Sequence, residues 1–416
     1  MLSNYISVNT GRATYEVADV LRSHLAEYKA HYRLTAEQAR VCGALMACRT
    51  AELGGHVAQC SACGALQISY NSCRDRHCPK CCKYKKAQWV VRQEVVLLPA
   101  PYFHVVFTVD HLVNEVVSAN RRLIYNLLFE AATQTLKAYG QRYLGGEVGI
   151  TAVLHTWGQK LDRHVHLHCV VTGGALSADG ERWQGCVGRF LFPIVALSAA
   201  YRDRFCQGLR GLIERGEVQV VGQQTKADMN RKVEQMAAKA WQVYANYFEG
   251  PQPVYEYLSR YVHQVALSNY RIVNIGGGKV TFTYRDNHDK DPVTGQGKEK
   301  TLSLGAVEFI RRFLWHVLPA RFVRIRHYGL HHSSARKGKL SRCRALLGLE
   351  PALPPLRELG LREWLETFIP QAELDRCPFC QAQRSMGRYR DFAGLSLLGW
   401  LVLSLLGLKG YRRAPL

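Results

Sequence analysis

"DRHVHLHCVVTGG" (residues 162–174) decides how this chain is read. His164, His166 and His168 fall on every second position, and Val165, Leu167, Cys169 and Val171 fill the alternate ones. A β-strand points successive side chains to opposite faces, so the imidazoles share one face and the apolar set packs beneath. Burying several imidazoles without partners is costly, and the row therefore predicts a metal site. His155 lies in "VGITAVLHTWG" (148–158), on an adjacent strand if "GQKLDR" turns. It can complete a three-imidazole cluster with His166 and His168, with His164, nearer the strand mouth, in reserve. Such a cluster suits a catalytic zinc with an activated water, and equally a hard divalent ion polarising a phosphate.

Composition narrows the partner. Lys and Arg outnumber Asp and Glu by 55 to 33 in 416 residues, a formal charge of +22. That excess favours a polyanion, most simply nucleic acid, over a small-molecule substrate. At 47% apolar residues the chain folds rather than staying disordered. "MLSNYISVNTGRATYEV" has no basic flank leading into an apolar run, so the expectation is a cytoplasmic chain. Its 14 cysteines then read as thiols or metal ligands and not as a disulfide framework. "FAGLSLLGWLVLSLLGL" (392–408) is at the short edge for a membrane span and reads better as a buried or partner-facing helix.

Helical spacing runs through 14–47, with Thr35 and Gln38 set as a capping box, and again through 120–143, 195–215, 226–246, 254–269 and "AVEFIRRFLWHVL". "YFHVVFTV" (102–109) reads as a strand, and "RIVNIGGGKVTFTYRD" as a hairpin turning at Gly276–Gly278. The fold class is α+β. Three segments are expected: a helical, zinc-binding one at 1–95, a catalytic one at 96–345 and a tail at 346–416.

Between residues 48 and 82 the chain becomes rich in cysteine and turns. Two CxxC pairs, Cys60/Cys63 and Cys78/Cys81, have the spacing of a tetrahedral structural zinc site. Cys48, His56, Cys73 and His77 could form a second, interleaved site. Arg74, Arg76, Lys80, Lys83, Lys85 and Lys86 surround the second pair, which makes DNA contact plausible. "CPFC" (Cys377, Cys380) is a lone half-site that nothing downstream completes, and reads as plain thiols.

Tyr257 and Tyr261, in "YEYLSRYVHQVALSN", are four residues apart and share a helical face. A phenol is a poor nucleophile at its usual pKa of about 10. A metal that polarises the scissile phosphate and stabilises the departing 3′ oxygen offsets this weakness. The resulting phosphotyrosine ester keeps the energy of the broken bond, so DNA can be rejoined without ATP. In "RFVRIRHYGLHHSSARKGKLSRCR" (321–344) cations alternate with aromatic and imidazole groups, and Arg324, Arg326, Arg336 and Lys337 are candidate DNA contacts.

Together "NSCRDRHCPKCC", "PYFHVVFT", "LHTWGQKLDRHVHLHCVVTGG", "YLSRYVHQVALSN" and "RFVRIRHYGL" resemble the HUH endonuclease superfamily. More narrowly, they resemble the rolling-circle insertion-sequence transposases with an N-terminal zinc-binding domain and a two-tyrosine catalytic domain. The resemblance covers about residues 40–345. It implies an HUH nuclease domain, an antiparallel sheet flanked by helices, acting on single-stranded DNA at element ends and target. It also implies His166 and His168 as the paired ligands, Tyr257 and Tyr261 as nucleophiles, and His155 as third ligand by analogy with relaxases. The cofactors expected are structural Zn2+ and catalytic Mg2+ or Mn2+, in a bacterial, nucleoid-associated enzyme able to form homo-oligomers. Plasmid replication initiators and relaxases share this chemistry. A zinc-dependent hydrolase would lack a nearby carboxylate base other than Asp162, and a zinc-finger protein would leave the histidine strand unexplained.

Overall fold

The structure is a computed structural model that describes residues 13–93, 96–220, 225–251, 253–254, 265–292, 294–355, 358–366, 376–377, 379–383 and 390–392. The chain forms two units, each discontinuous in sequence. The first takes Met1–Lys85, Leu267–Leu314 and Leu359–Leu416; the second takes Lys86–Ala266 and Trp315–Glu358.

The first unit opens with α1 (Val17–His31) and α2 (Ala36–Ala47). Tyr32 leaves helical geometry, and Thr35 starts the next helix through the expected capping box. Thr35 Oγ1 accepts the Gln38 amide at 3.2 Å, while Gln38 Oε1 accepts the Thr35 amide at 3.0 Å. Such caps are worth about 1 kcal/mol. The antiparallel hairpin β1 (Gly55–Gln59) and β2 (Leu66–Tyr70) follows; α3 (Cys82–Gln93) starts in this unit and continues past Lys85 into the second.

The second unit is built on β3 (Tyr102–Thr108), α4 (Val113–Leu144), β4 (Gly146–Trp157), β5 (Arg163–Ser177), β6 (Trp183–Gly185), α5 (Ile194–Glu214), α6 (Lys226–Ala237) and β7 (Val243–Phe248). The helical reading of 226–246 needs correction. The helix ends at Ala237, and "VYANYF" pairs along β3, with Ala245 opposite Val105. This run of aromatic and β-branched residues suits a pleated strand better than a helix. Phe103, Val105 and Phe107 of β3 and Leu167, Cys169 and Val171 of β5 point to one face of the sheet. There they meet Leu128, Phe129 and Leu136 of α4 and Tyr201, Phe205 and Leu209 of α5 in a continuous core. Each such side chain contributes about 1.5–3 kcal/mol on burial. The opposite face carries a smaller cluster of Leu97, Tyr102, Val153, Val170 and Val254.

The chain then returns to the first unit with β8 (Ile272–Gly276), β9 (Lys279–Lys290), β10 (Gly297–Gly305) and α7 (Ala306–Trp315). The β8–β9 turn uses Gly277 and Gly278, both at positive φ. Asn269 Oδ1 accepts the Val17 amide at 3.1 Å and Gln38 Nε2 donates to the Leu314 carbonyl at 3.0 Å, tying these segments to α1 and α2. In the second unit β11 (Ile325–Gly329) completes a sheet of order β11-β4-β5-β3-β7, antiparallel at every pairing, with β6 beside β5; α8 (Ser341–Leu346) follows. The first unit closes with α9 (Leu361–Glu366) and β12 (Arg390–Phe392), which pairs antiparallel with β1. The apolar run after Phe392 lies outside the described residues. Among those described, no helix is long and apolar enough to cross a membrane.

Candidate metal centres

The register of the second unit's sheet places His155 of β4 directly opposite His166 of β5. His155, His166 and His168 converge, each offering a ring nitrogen within 4.8 Å of the others. Their ring centroids are 4.5 Å apart for His155–His168 and 4.8 Å for His166–His168. His155 and His166 are buried, and His155 is also stacked on Trp157 at 4.7 Å. His164 is exposed at the outer end of the row, and its carbonyl accepts from His166 Nδ1 at 2.8 Å. That bond puts the His166 proton on Nδ1 and turns the Nε2 lone pair toward the cluster. Burial, then the neighbouring imidazoles, hold His166 and His168 down to about 3. Both are therefore neutral near pH 7, the form that ligates a metal. Three imidazoles on one rigid face fit a divalent cation with coordination positions to spare.

His104 is a member of this constellation that the sequence reading passed over. It lies on β3, diagonal to His168 across the strand pair, and its Nε2 is 2.9 Å from His168 Nδ1. A His168 that ligates through Nε2 carries its proton on Nδ1 and donates it to His104, which fixes tautomer and ring orientation. The rings stack at 5.1 Å and 8°.

In the first unit the cysteines divide differently from the expected sets. Cys48, Cys73, Cys78 and Cys81 form one group, and Cys60 and Cys63 stand with Cys377 and Cys380 in another. Cys78/Cys81 and Cys60/Cys63 thus belong to separate clusters. In the first cluster Cys73–Cys81 and Cys48–Cys78 lie 3.7 and 3.5 Å apart. A tetrahedral zinc with Zn–S bonds of about 2.3 Å sets the sulfur–sulfur edge at about 3.8 Å. S–H donation from Cys73, then from Cys78 and Cys81, holds the Cys48 thiol low, while Cys73 and Cys78 are pushed up, first by Cys48. His77 is drawn elsewhere: its Nδ1 bonds Asp75 at 2.9 Å, and Asp75 also pairs with Arg40 at 2.7 Å. His56 lies on β1 opposite Ser69 and Asp391.

Residues 20–109 match the family described as "Transposase zinc-binding domain", and residues 149–339 the one described as "Putative transposase". The chain is 40% identical over 379 residues to "Putative transposase y4qJ" of Sinorhizobium fredii (strain NBRC 101917 / NGR234), covering 89% of this chain and 94% of the relative. The chain belongs to the IS91-type transposases. A second relative, "Transposase for insertion sequence element IS801" of Pseudomonas savastanoi pv. phaseolicola, is 27% identical over 306 residues, 68% of each chain. No solved structure matches. The transposase carries structural zinc in its N-terminal domain, for which the Cys48 cluster supplies a complete set of four thiolates.

The candidate DNA contacts of the transposase fall unevenly. Arg324 is 7% exposed, so the protein interior surrounds its guanidinium. Arg326 is engaged within the second unit: Nη2 donates to Asn126 Oδ1 at 2.6 Å, and the guanidinium lies 4.1 Å from the Phe129 ring centroid. Arg336 and Lys337 begin a π-helical turn, Arg336–Leu340. Tyr257 and Tyr261 lie outside the described residues.

Proposed function

We propose that this transposase nicks and rejoins single-stranded DNA by HUH chemistry, through 5′-phosphotyrosine intermediates, in rolling-circle-type transposition. The observation that carries the reading is the convergence of His155, His166 and His168 on one face of an antiparallel sheet backed by helices. A divalent ion, Mg2+ or Mn2+, held there would supply positive charge to the scissile phosphate and the departing 3′ oxygen. The chain's own residues do the rest. His166 and His168 are presented with fixed tautomers, and His104 and the His164 carbonyl hold their rings in place. Tyr257 or Tyr261 attacks phosphorus through its phenolate oxygen; the P–O3′ bond breaks, and the 3′ oxygen takes up a proton. Attack by a free 3′ hydroxyl on the phosphotyrosine reverses the step and rejoins the strand. Two tyrosines allow two links to persist at once, as strand exchange requires.

The test is a nicking assay on labelled single-stranded DNA bearing the element ends, with the covalent adduct resolved on a denaturing gel. Each single Tyr→Phe protein should still form one adduct and fail in strand transfer. The Tyr257→Phe, Tyr261→Phe protein should bind DNA and form none. An adduct persisting in that double variant, or nicking unaffected by His166→Ala with His168→Ala, would overturn the reading.

A further inference from the structure

The "CPFC" pair has no partner nearby in sequence, yet it meets a partner in the fold. Cys60 and Cys380 Sγ are 3.8 Å apart and Cys63 and Cys377 Sγ 3.9 Å, and all four sulfurs lie within 4.8 Å of one another. These separations match the edge of a zinc tetrathiolate, about 3.8 Å, and are far beyond a disulfide bond of about 2.05 Å.

The two turns that carry these cysteines are built alike. At the first, the Gly64 amide donates to the Cys60 carbonyl at 2.9 Å, and the Cys60 amide to the Ala65 carbonyl at 2.9 Å. At the second, the Gln381 amide donates to the Cys377 carbonyl at 2.9 Å, and the Cys377 amide to the Ala382 carbonyl at 2.9 Å. The residue after the second cysteine is left-handed in both, Gly64 at φ 72° and Gln381 at φ 58°. Each turn also tips an antiparallel pairing, Gln59 with Leu66 in one case and Arg376 with Gln383 in the other. Glutamine at positive φ costs energy that glycine avoids, so a separate interaction must hold the second turn in the shape of the first.

We propose that Cys60, Cys63, Cys377 and Cys380 bind a second structural zinc, which joins two equivalent knuckles and fastens the C-terminal segment to the N-terminal zinc-binding domain. The family match ends at residue 109, so half of this donor set comes from outside the matched domain. The β1–β12 pairing, with Gly55 opposite Phe392 and Val57 opposite Arg390, runs beside the same junction.

The test reads metal content, not DNA chemistry, so its outcome is independent of the proposed function. The full chain is prepared with His166→Ala and His168→Ala, so that the histidine face contributes no zinc. Elemental analysis should give two zinc ions per chain. Cys377→Ser with Cys380→Ser should give one, and so should Cys60→Ser with Cys63→Ser. The quadruple variant should also keep one. Cobalt substitution should give tetrathiolate spectra whose intensity halves in each of these variants. Cys380→His should retain two ions, with the cobalt bands of one site shifted to those of an S3N donor set. One zinc in the parent chain, two in the quadruple variant, or an unshifted Cys380→His spectrum would overturn the proposal.

Discussion

The histidine face and the cysteine clusters both gather ligand atoms within 4.8 Å, but by opposite routes. The histidines ride on β4 and β5, whose other face is packed into the core with Leu167 and Val171 fully buried. Their geometry follows from sheet register and exists before any ion arrives. Cys60 and Cys63 sit on the turn between β1 and β2, where Leu66 and Ile68 of β2 are exposed. Little apolar burial holds that turn, so the ion itself must organise it. A packed sheet presents a metal to something else; a thiolate cluster uses the metal to hold itself together.

Stripping zinc should break this comparison most visibly. With chelator, backbone amides of β1 and β2 should exchange within seconds, while those of β5 keep their protection. Structural zinc is worth about 10–16 kcal/mol in small modules, so protection of both regions after chelation would show that the cysteine turns need no ion. A smaller effect should separate the histidines. His166→Ala should weaken Mn2+ binding, read by paramagnetic relaxation, by more than ~100-fold, beyond the 10–100-fold typical when an outer partner is lost. Exposed His164→Ala should change it by less than about threefold. Equal losses would mean that the metal sits at the mouth of the row. His104→Ala falls between, at about 10–100-fold, with the sheet still folded by circular dichroism.

Acidification should give a smaller effect for each imidazole. His104, His166 and His168 are each lowered to about 3, chiefly by burial. The unfolded chain takes up these protons near pH 6.5 while the folded chain refuses them. Without metal, stability should therefore fall as pH drops from about 6.5 toward 3. Between pH 7 and 6 the loss should be about 0.7 kcal/mol per imidazole. Denaturant midpoints measured at both pH values would check it; a midpoint that rises on acidification would contradict burial of neutral rings.

What could be read from the sequence follows the same division. The alternation in 162–174 is a local property, and it fixes which side chains share a face once β5 forms. His104 was hidden because its role depends on which strand lies beside β5, a tertiary fact that "YFHVVFT" does not carry. The cysteine partition was hidden for a similar reason. A CxxC turn specifies its own shape and says nothing of the turn it will face, so proximity in sequence wrongly joined Cys60/Cys63 to Cys78/Cys81. β7 was missed because "VYANYF" takes its identity from pairing with β3, which overrides the helical spacing running into it.

The junction between Cys63 and Cys377 also sets a clock. The two residues are 314 positions apart, and a ribosome adding about 5–20 residues per second needs roughly 15–60 s to cover that distance. For that time the first knuckle emerges with two thiols and no mate, while the Cys48 group, complete by Cys81, can already close. A newly made chain therefore passes through a half-metallated stage in which its N-terminal hairpin is exposed to oxidants and to other copies of itself. The final clasp then forms only once Cys377 and Cys380 have been made.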